Sequence, residues 1–157
     1  MHPSLVTYVM KQTGMTPDEM DNAMNKKSGL LGVSGVSNDG RDVWKAADEG
    51  NERCKLAMDL MCQGAIKLIG AYVAEMNGLD VLVFTAGVGE NDRRTREKIA
   101  GNLSFFGVKF DADKNANAPH GDILEISLPD SATKVLVIPT DEEFMIACDT
   151  ETLAKAL

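Results

Sequence analysis

Three short stretches hold the residue types that could do chemistry. The first is Phe84-Thr85-Ala86-Gly87-Val88-Gly89-Glu90-Asn91. The apolar run Val81 to Phe84 ends there, two glycines follow, and a helix is expected from about Asn91 to Asn102. Two glycines allow a tight turn and leave a groove free of side chains, beside amides that lack partners at the start of a helix. A nucleotide can lie close to such a backbone. No Gly-Lys-Ser/Thr follows, so this is not a Walker loop; with no third glycine and no preceding βαβ unit it is not a dinucleotide fingerprint either. By itself the pattern suits a plain structural turn as well as a ligand loop.

The second stretch is Ser37-Asn38-Asp39-Gly40-Arg41-Asp42. Asp39 could accept from ribose hydroxyls, and the planar guanidinium of Arg41 could stack on a base or meet phosphate. Equally, Asp39 could cap the next helix and Arg41 could pair with a nearby acid. The third is Pro139-Thr140-Asp141-Glu142-Glu143. Thr140 and Glu143 have the spacing of a capping box, which gives Glu143 a structural role. Glu142 is not needed for that cap; a carboxylate at a strand–helix junction can hold hydrated magnesium, or be a surface glutamate. His2 and His120 lie near no Cys/Asp cluster, and no Ser/His/Asp set can be assembled.

The elements that must position these stretches can be read from punctuation and period. A helix over residues 4–12 stops at Gly14. Thr16-Pro17-Asp18-Glu19 starts another, with a cap, a first-position proline and a capping box, running to about Asn25. Residues 28–37 are so rich in glycine and serine that a loop is expected, and a helix resumes from Asp39 to Glu49. Over 51–77, Leu56, Leu60, Met61, Ala65, Leu68, Ile69, Tyr72, Val73 and Met76 recur at helical spacing, a core helix with Gly78 placed as its left-handed cap. Val81–Phe84 reads as a buried central strand. Strands are also expected at 123–126 and 134–138, and a last helix opens at Thr140, with Cys148 buried on it. Strands alternating with helices imply an α/β protein.

Bulk properties narrow the function. The 157 residues are 44% hydrophobic and 25% charged, enough for a packed core. A net charge of −8 repels phosphate backbones, which disfavours nucleic acid as a partner. Cys54, Cys62 and Cys148 show no CxxC spacing, and their odd number argues against a disulfide framework. No apolar run nears membrane-spanning length and no signal segment opens the chain, so a cytoplasmic, membrane-free protein is expected.

In this order, the segments Asn25-Lys26-Lys27-Ser28-Gly29-Leu30-Leu31-Gly32-Val33-Ser34-Gly35, Ser37 to Asp42, Val83 to Asn91 and Ile138 to Glu143 resemble the acetokinase family. The likeness covers nearly the whole chain. It implies an α/β fold of the ribonuclease H-like, actin-like ATPase class, a sheet flanked by helices. Residues 1–157 would then be the C-terminal nucleotide-binding domain of a two-domain kinase, with the N-terminal domain absent. Asp39, Gly40 and Arg41 would border the adenosine pocket. Gly87, Val88, Gly89, Glu90 and Asn91 would approach ATP or ADP, and Glu142 would help place Mg2+ or Mn2+. Two positions depart from the pattern: Gly40 often has a larger counterpart, and Asp92 stands where a small polar residue is common. The family's catalytic arginines, aspartate and histidine fall upstream of Met1, so no catalytic residue is carried over.

The implied reaction is ATP + acetate = ADP + acetyl phosphate, with this chain expected to be inactive in isolation. Propionate or butyrate kinases share these loops, and a non-catalytic nucleotide-binding module is the other reading. The family likeness also implies a homodimer, to which the helix over 51–77 would contribute.

Overall fold

The computed structural model describes residues 2–119 and 121–155; His120 lies outside them. The chain forms two compact units, one up to Gly64 and one from Ala65 onward, each described by itself.

In the first unit, α1 (Ser4–Thr13) ends on Gly14, whose φ of 73° is left-handed. Helix α2 (Pro17–Lys26) starts on the expected box: Thr16 Oγ1 accepts from Glu19 N–H at 3.3 Å, and the Glu19 carboxylate accepts from Thr16 N–H at 2.8 Å. Within the expected loop, Gly29–Ser34 instead form a short helix, α3, closed by Gly35 at φ 71°. Leu30 and Val33 pack on the core and offset the cost of glycine in a helix. That core is Val43 and Ala47 of α4 (Gly40–Asp48) against Cys54, Ala57 and Met58 of α5 (Glu52–Met76), with Trp44 and Met61 beside them.

Helix α5 corrects the expectation of a core helix. Its buried positions are the small or flexible Cys54, Ala57, Met58, Cys62 and Val73. Leu56, Leu60, Leu68, Tyr72 and Met76, spaced by four residues except at Gly64, are 51–63% exposed. Helical period identifies the helix, but apolar residues lie on more than one face, and period cannot say which face is covered. The left-handed residue that ends α5 is Asn77 (φ 58°) rather than Gly78. By length and a mean hydropathy of 1.3 over its most apolar stretch α5 passes for a membrane-crossing helix, although Lys67 interrupts its apolar run. Its contacts with α4 are those of a helix packed on protein.

The second unit is built on a sheet of order β1-β3-β2. Strand β1 (Val81–Phe84) runs parallel to β3 (Lys134–Val137), with Phe84 opposite Val137; β2 (Leu124–Glu125) is antiparallel on the other side of β3. The central strand is therefore β3, which buries Val135 and Val137. Strand β1 is an edge in this sheet, with Val81 and Val83 exposed and only Phe84 buried, so the expected buried central strand is not found there. An apolar strand records that something can cover it, not what does. Helices α6 (Ala86–Asn91) and α7 (Arg93–Ala100) follow β1, and α8 (Ala112–Ala116) precedes β2. Helix α9 (Glu142–Lys155) closes the chain; none of its described residues is buried, and Cys148 is half-exposed instead of buried.

Candidate functional site

The segment after β1 departs from the expected turn in a way that matters. Gly87, Val88, Gly89, Glu90 and Asn91 do not precede a helix but lie inside α6. The left-handed residue is Ala86, with φ 58°, so the strain sits on a residue with a Cβ and not on either glycine. The two glycines do different jobs. A Cβ on Gly89 would stand 3.0 Å from the Phe84 carbonyl carbon, so Gly89 lets α6 pack directly on β1. A Cβ on Gly87 would meet nothing within 4 Å. Gly87 and Val88 are exposed, and the Asn91 Nδ2 amide donates to Gly87 O at 2.9 Å. At the start of α6 the Ala86 amide faces the Glu90 carboxylate, while the amides toward Asn91 belong to the helix.

Beneath α6 lies a cation that sequence reasoning missed. Arg96 of α7 is 0% exposed. Its Nη1 donates to Gly89 O at 2.9 Å and Glu90 O at 2.7 Å, and its Nε donates to Asn115 Oδ1 at 2.7 Å. Arg96 thereby satisfies two carbonyls that the short helix leaves open at its C-terminal end, where a cation is favoured. Burial lowers its affinity for the proton, and the nearby charge of Arg93 adds to this. Its Nη2 is buried with no hydrogen-bond partner among the described residues. The available signal was position: Arg96 shares a helix face with Ile99 and Ala100, both buried. Asp92, the departure from the family pattern, caps α7 through bonds from Arg94 N–H at 3.0 Å and Thr95 N–H at 3.1 Å.

The Glu90 carboxylate is not pointed at open space. Its Oε1 accepts from Thr140 N–H at 2.9 Å and from Thr140 Oγ1 at 2.8 Å. These bonds, the backbone one first, hold the Glu90 carboxyl below its ordinary proton affinity. They also replace the expected capping box of α9. Thr140 Oγ1 faces Glu90, and Asp141 is the cap, accepting from Phe144 N–H at 3.0 Å. Asp141 sits one residue nearer the helix and holds the capping role; Glu143 has no part in it. Glu142 is the first residue of α9 and is exposed, its carboxylate without a hydrogen bond or ion pair among the described residues. Among those residues no three His, Cys, Asp or Glu side chains cluster as a metal cage. A shallow hollow adjoins Glu90, Asn91, Asp122 and Pro139 but is not lined by Gly87 or Val88.

In the first unit, Asp39 caps α4, with Oδ1 accepting from Arg41 N–H at 2.9 Å. The Arg41 guanidinium folds back on the same carboxylate, with Nη2 2.5 Å from Oδ2. That guanidinium, then the Arg41 amide, brings the Asp39 pKa down to about 2. Arg41 nevertheless keeps 90% of its side chain exposed. Gly40, the first residue of α4, has room for a Cβ, which would make ordinary contact with Met58. The local roles open to Asp39 and Arg41, a cap and an acid partner, are both observed.

Solved structures place this architecture. A Porphyromonas gingivalis acetate kinase matches over 98% of this chain and 38% of its own, at 46% identity and a TM-score of 0.88. A Francisella tularensis propionate kinase matches over 94% and 37%, at 37% identity and a TM-score of 0.83. The fold class is thus α/β, of the actin-like ATPase kind, as expected. By sequence, a Clostridium botulinum acetate kinase is 51% identical over 149 residues, 95% of this chain. The model of the acetokinase family matches residues 1–148, and the chain belongs to that family. It spans about 37% of the length of that curated relative.

Proposed function

We propose that this chain is the nucleotide-binding portion of an acetate kinase, which transfers the γ-phosphoryl group of ATP to acetate to give ADP and acetyl phosphate. The supporting observation is the surface at the C-terminal end of β1: a strained Ala86, then Gly87, which neither φ nor packing requires to be glycine. Glycine at the end of a strand suits a ligand that lies close to the backbone. The first-turn amides of α6, Gly87, Val88, Gly89 and Asn91 would lie along ADP or ATP. Asp39, Gly40 and Arg41 would border the adenosine, once Arg41 exchanges its contact with Asp39 for the nucleotide.

Glu142 suits Mg2+ or Mn2+: it is an exposed oxygen donor with no competing partner, and a single carboxylate fits an ion whose other ligands are water and phosphate. Such an ion, when bound, neutralises charge on the phosphates. Nothing in these residues attacks or protonates a substrate, so catalysis would require groups from elsewhere. Acetate is supported by the acetate kinases at 51% and 46% identity. The propionate reading rests on the match to the propionate kinase, and a non-catalytic nucleotide-binding module remains the reading from another class. A cytoplasmic setting and a homodimer using the exposed face of α5 complete the proposal.

The test is ADP titration of the 157-residue protein, with and without Mg2+, beside an assay of acetyl phosphate formation from ATP and acetate. Magnesium-dependent ADP binding without turnover is expected. Turnover of about 1–100 per second, the ordinary range of kinases, would overturn the assignment of chemistry to groups other than these residues. No ADP binding would overturn the nucleotide reading.

A further inference from the structure

The family resemblance implies that Glu90 approaches the nucleotide. Its side chain is committed elsewhere: one carboxylate oxygen accepts two bonds from Thr140, fifty residues along the chain. Resting on the nucleotide reading above, we propose that Glu90 is a positioning residue that ties the segment carrying Glu142 to α6, so that nucleotide and divalent cation bind as linked events.

Both ends of this tie are anchored. At the α6 end, the Glu90 carbonyl accepts from Arg96 Nη1 at 2.7 Å, and the neighbouring Gly89 carbonyl accepts from the same nitrogen. Arg96 is in turn held by the buried Asn115, whose Nδ2 donates to Arg93 O at 3.1 Å. The Glu90 main chain therefore hangs from a fully buried guanidinium. At the other end, Thr140 leads directly into Asp141, which caps α9 through Phe144 N–H, and then into Glu142. Two residues of chain span at most about 7 Å, so wherever Thr140 is held, Glu142 is confined nearby. A hydrogen bond to an ionised acceptor is among the stronger ones, and here one carboxylate takes two.

The consequence is thermodynamic. If ADP settles on α6 and the cation on Glu142, a rigid connection lets each present its surface in register with the other. The resulting coupling must be reciprocal: the metal strengthens nucleotide binding by the same factor as the nucleotide strengthens metal binding. A Glu90 that touched the nucleotide directly would act on ADP affinity whether metal is present or not. A Glu90 that positions Glu142 acts on the gain that metal brings.

The experiment measures the ADP dissociation constant by calorimetry with Mg2+ and with EDTA, and takes the ratio of the two. Glu90→Ala should lower that ratio by about tenfold, within the usual range of coupling between sites. Glu90→Gln, which keeps an oxygen acceptor for Thr140, should retain most of the ratio, and Thr140→Val, which removes one of the two donors, should fall between. In a Glu142→Ala background, Glu90→Ala should change the ratio no further. Circular dichroism and thermal unfolding verify that each variant is folded, and Thr140→Val carries the test should Glu90→Ala fail to fold. A ratio unchanged in the folded variants, including equal weakening with Mg2+ and with EDTA, would overturn the positioning role. So would additive effects of Glu90→Ala and Glu142→Ala. Absence of ADP binding by the unsubstituted protein would instead sink the nucleotide reading, and the inference with it.

Discussion

At the scale of single residues, the contrast between two neighbouring glycines carries much of the case. Gly89 is glycine because Phe84 backbone lies where its Cβ would be; Gly87 is glycine with free space around it. Gly89→Ala should therefore cost about 1–3 kcal/mol of stability, the usual penalty for overpacking. Gly87→Ala should keep or slightly raise stability, since alanine suits a helix better, while weakening ADP binding by about tenfold, or 1.4 kcal/mol. Thermal unfolding and ADP titration of both variants decide this; equal losses of stability would remove the distinction. Asp39 makes a separate prediction. Its folded pKa of about 2 lies below the ordinary 3.8, so its charge stabilises the fold above pH 4, and that contribution is lost as pH falls through 2. Denaturant midpoints of the wild type and Asp39→Ala should differ at pH 5 and converge toward pH 2. A constant difference across that range would mean the carboxylate's ionisation is irrelevant to the cap. The contribution is small, because the pair is solvent-screened.

At the scale of elements, the site is organised by two short connections that share parts. Strand β1 ends in α6, β3 leads to α9, and the parallel pairing of Phe84 with Val137 brings those two strand ends side by side. Ligand sites of α/β proteins form at such carboxyl ends of parallel strands. The Glu90–Thr140 bonds are a consequence of that register: a slip by one residue would turn every β3 side chain to the opposite face. Helix α7 contributes from below, its N-terminus capped by Asp92 and its buried Arg96 closing α6. Capping signals were legible where cap and capped amide are neighbours in the chain, as at Thr16 and Asp39. They misled at Thr140, whose amide and hydroxyl both turn to a carboxylate fifty residues away while the next residue, Asp141, caps the helix.

At the scale of the whole molecule, α5 is the feature with a consequence. Leu56, Leu60, Leu68, Tyr72 and Met76 expose an apolar stripe of a kind that marks contact surfaces. If two copies pair through this face, sedimentation equilibrium should find dimer at micromolar concentration, and Leu68→Glu should shift it to monomer without unfolding. A wild type that stays monomeric at high concentration would exclude α5 as a self-association surface for this chain.

The amino-acid sequence alone determined the α/β class, the family, most helices and the order of the chemical stretches, because period, caps and glycine placement are local properties. Tertiary structure alone decided which faces of α5 and β1 are covered, that Arg96 is buried beneath α6, and that Glu90 answers to Thr140. Each depends on groups far apart in the chain meeting in space, and a side chain's partner is set by what packing brings within reach, not by its neighbours in sequence.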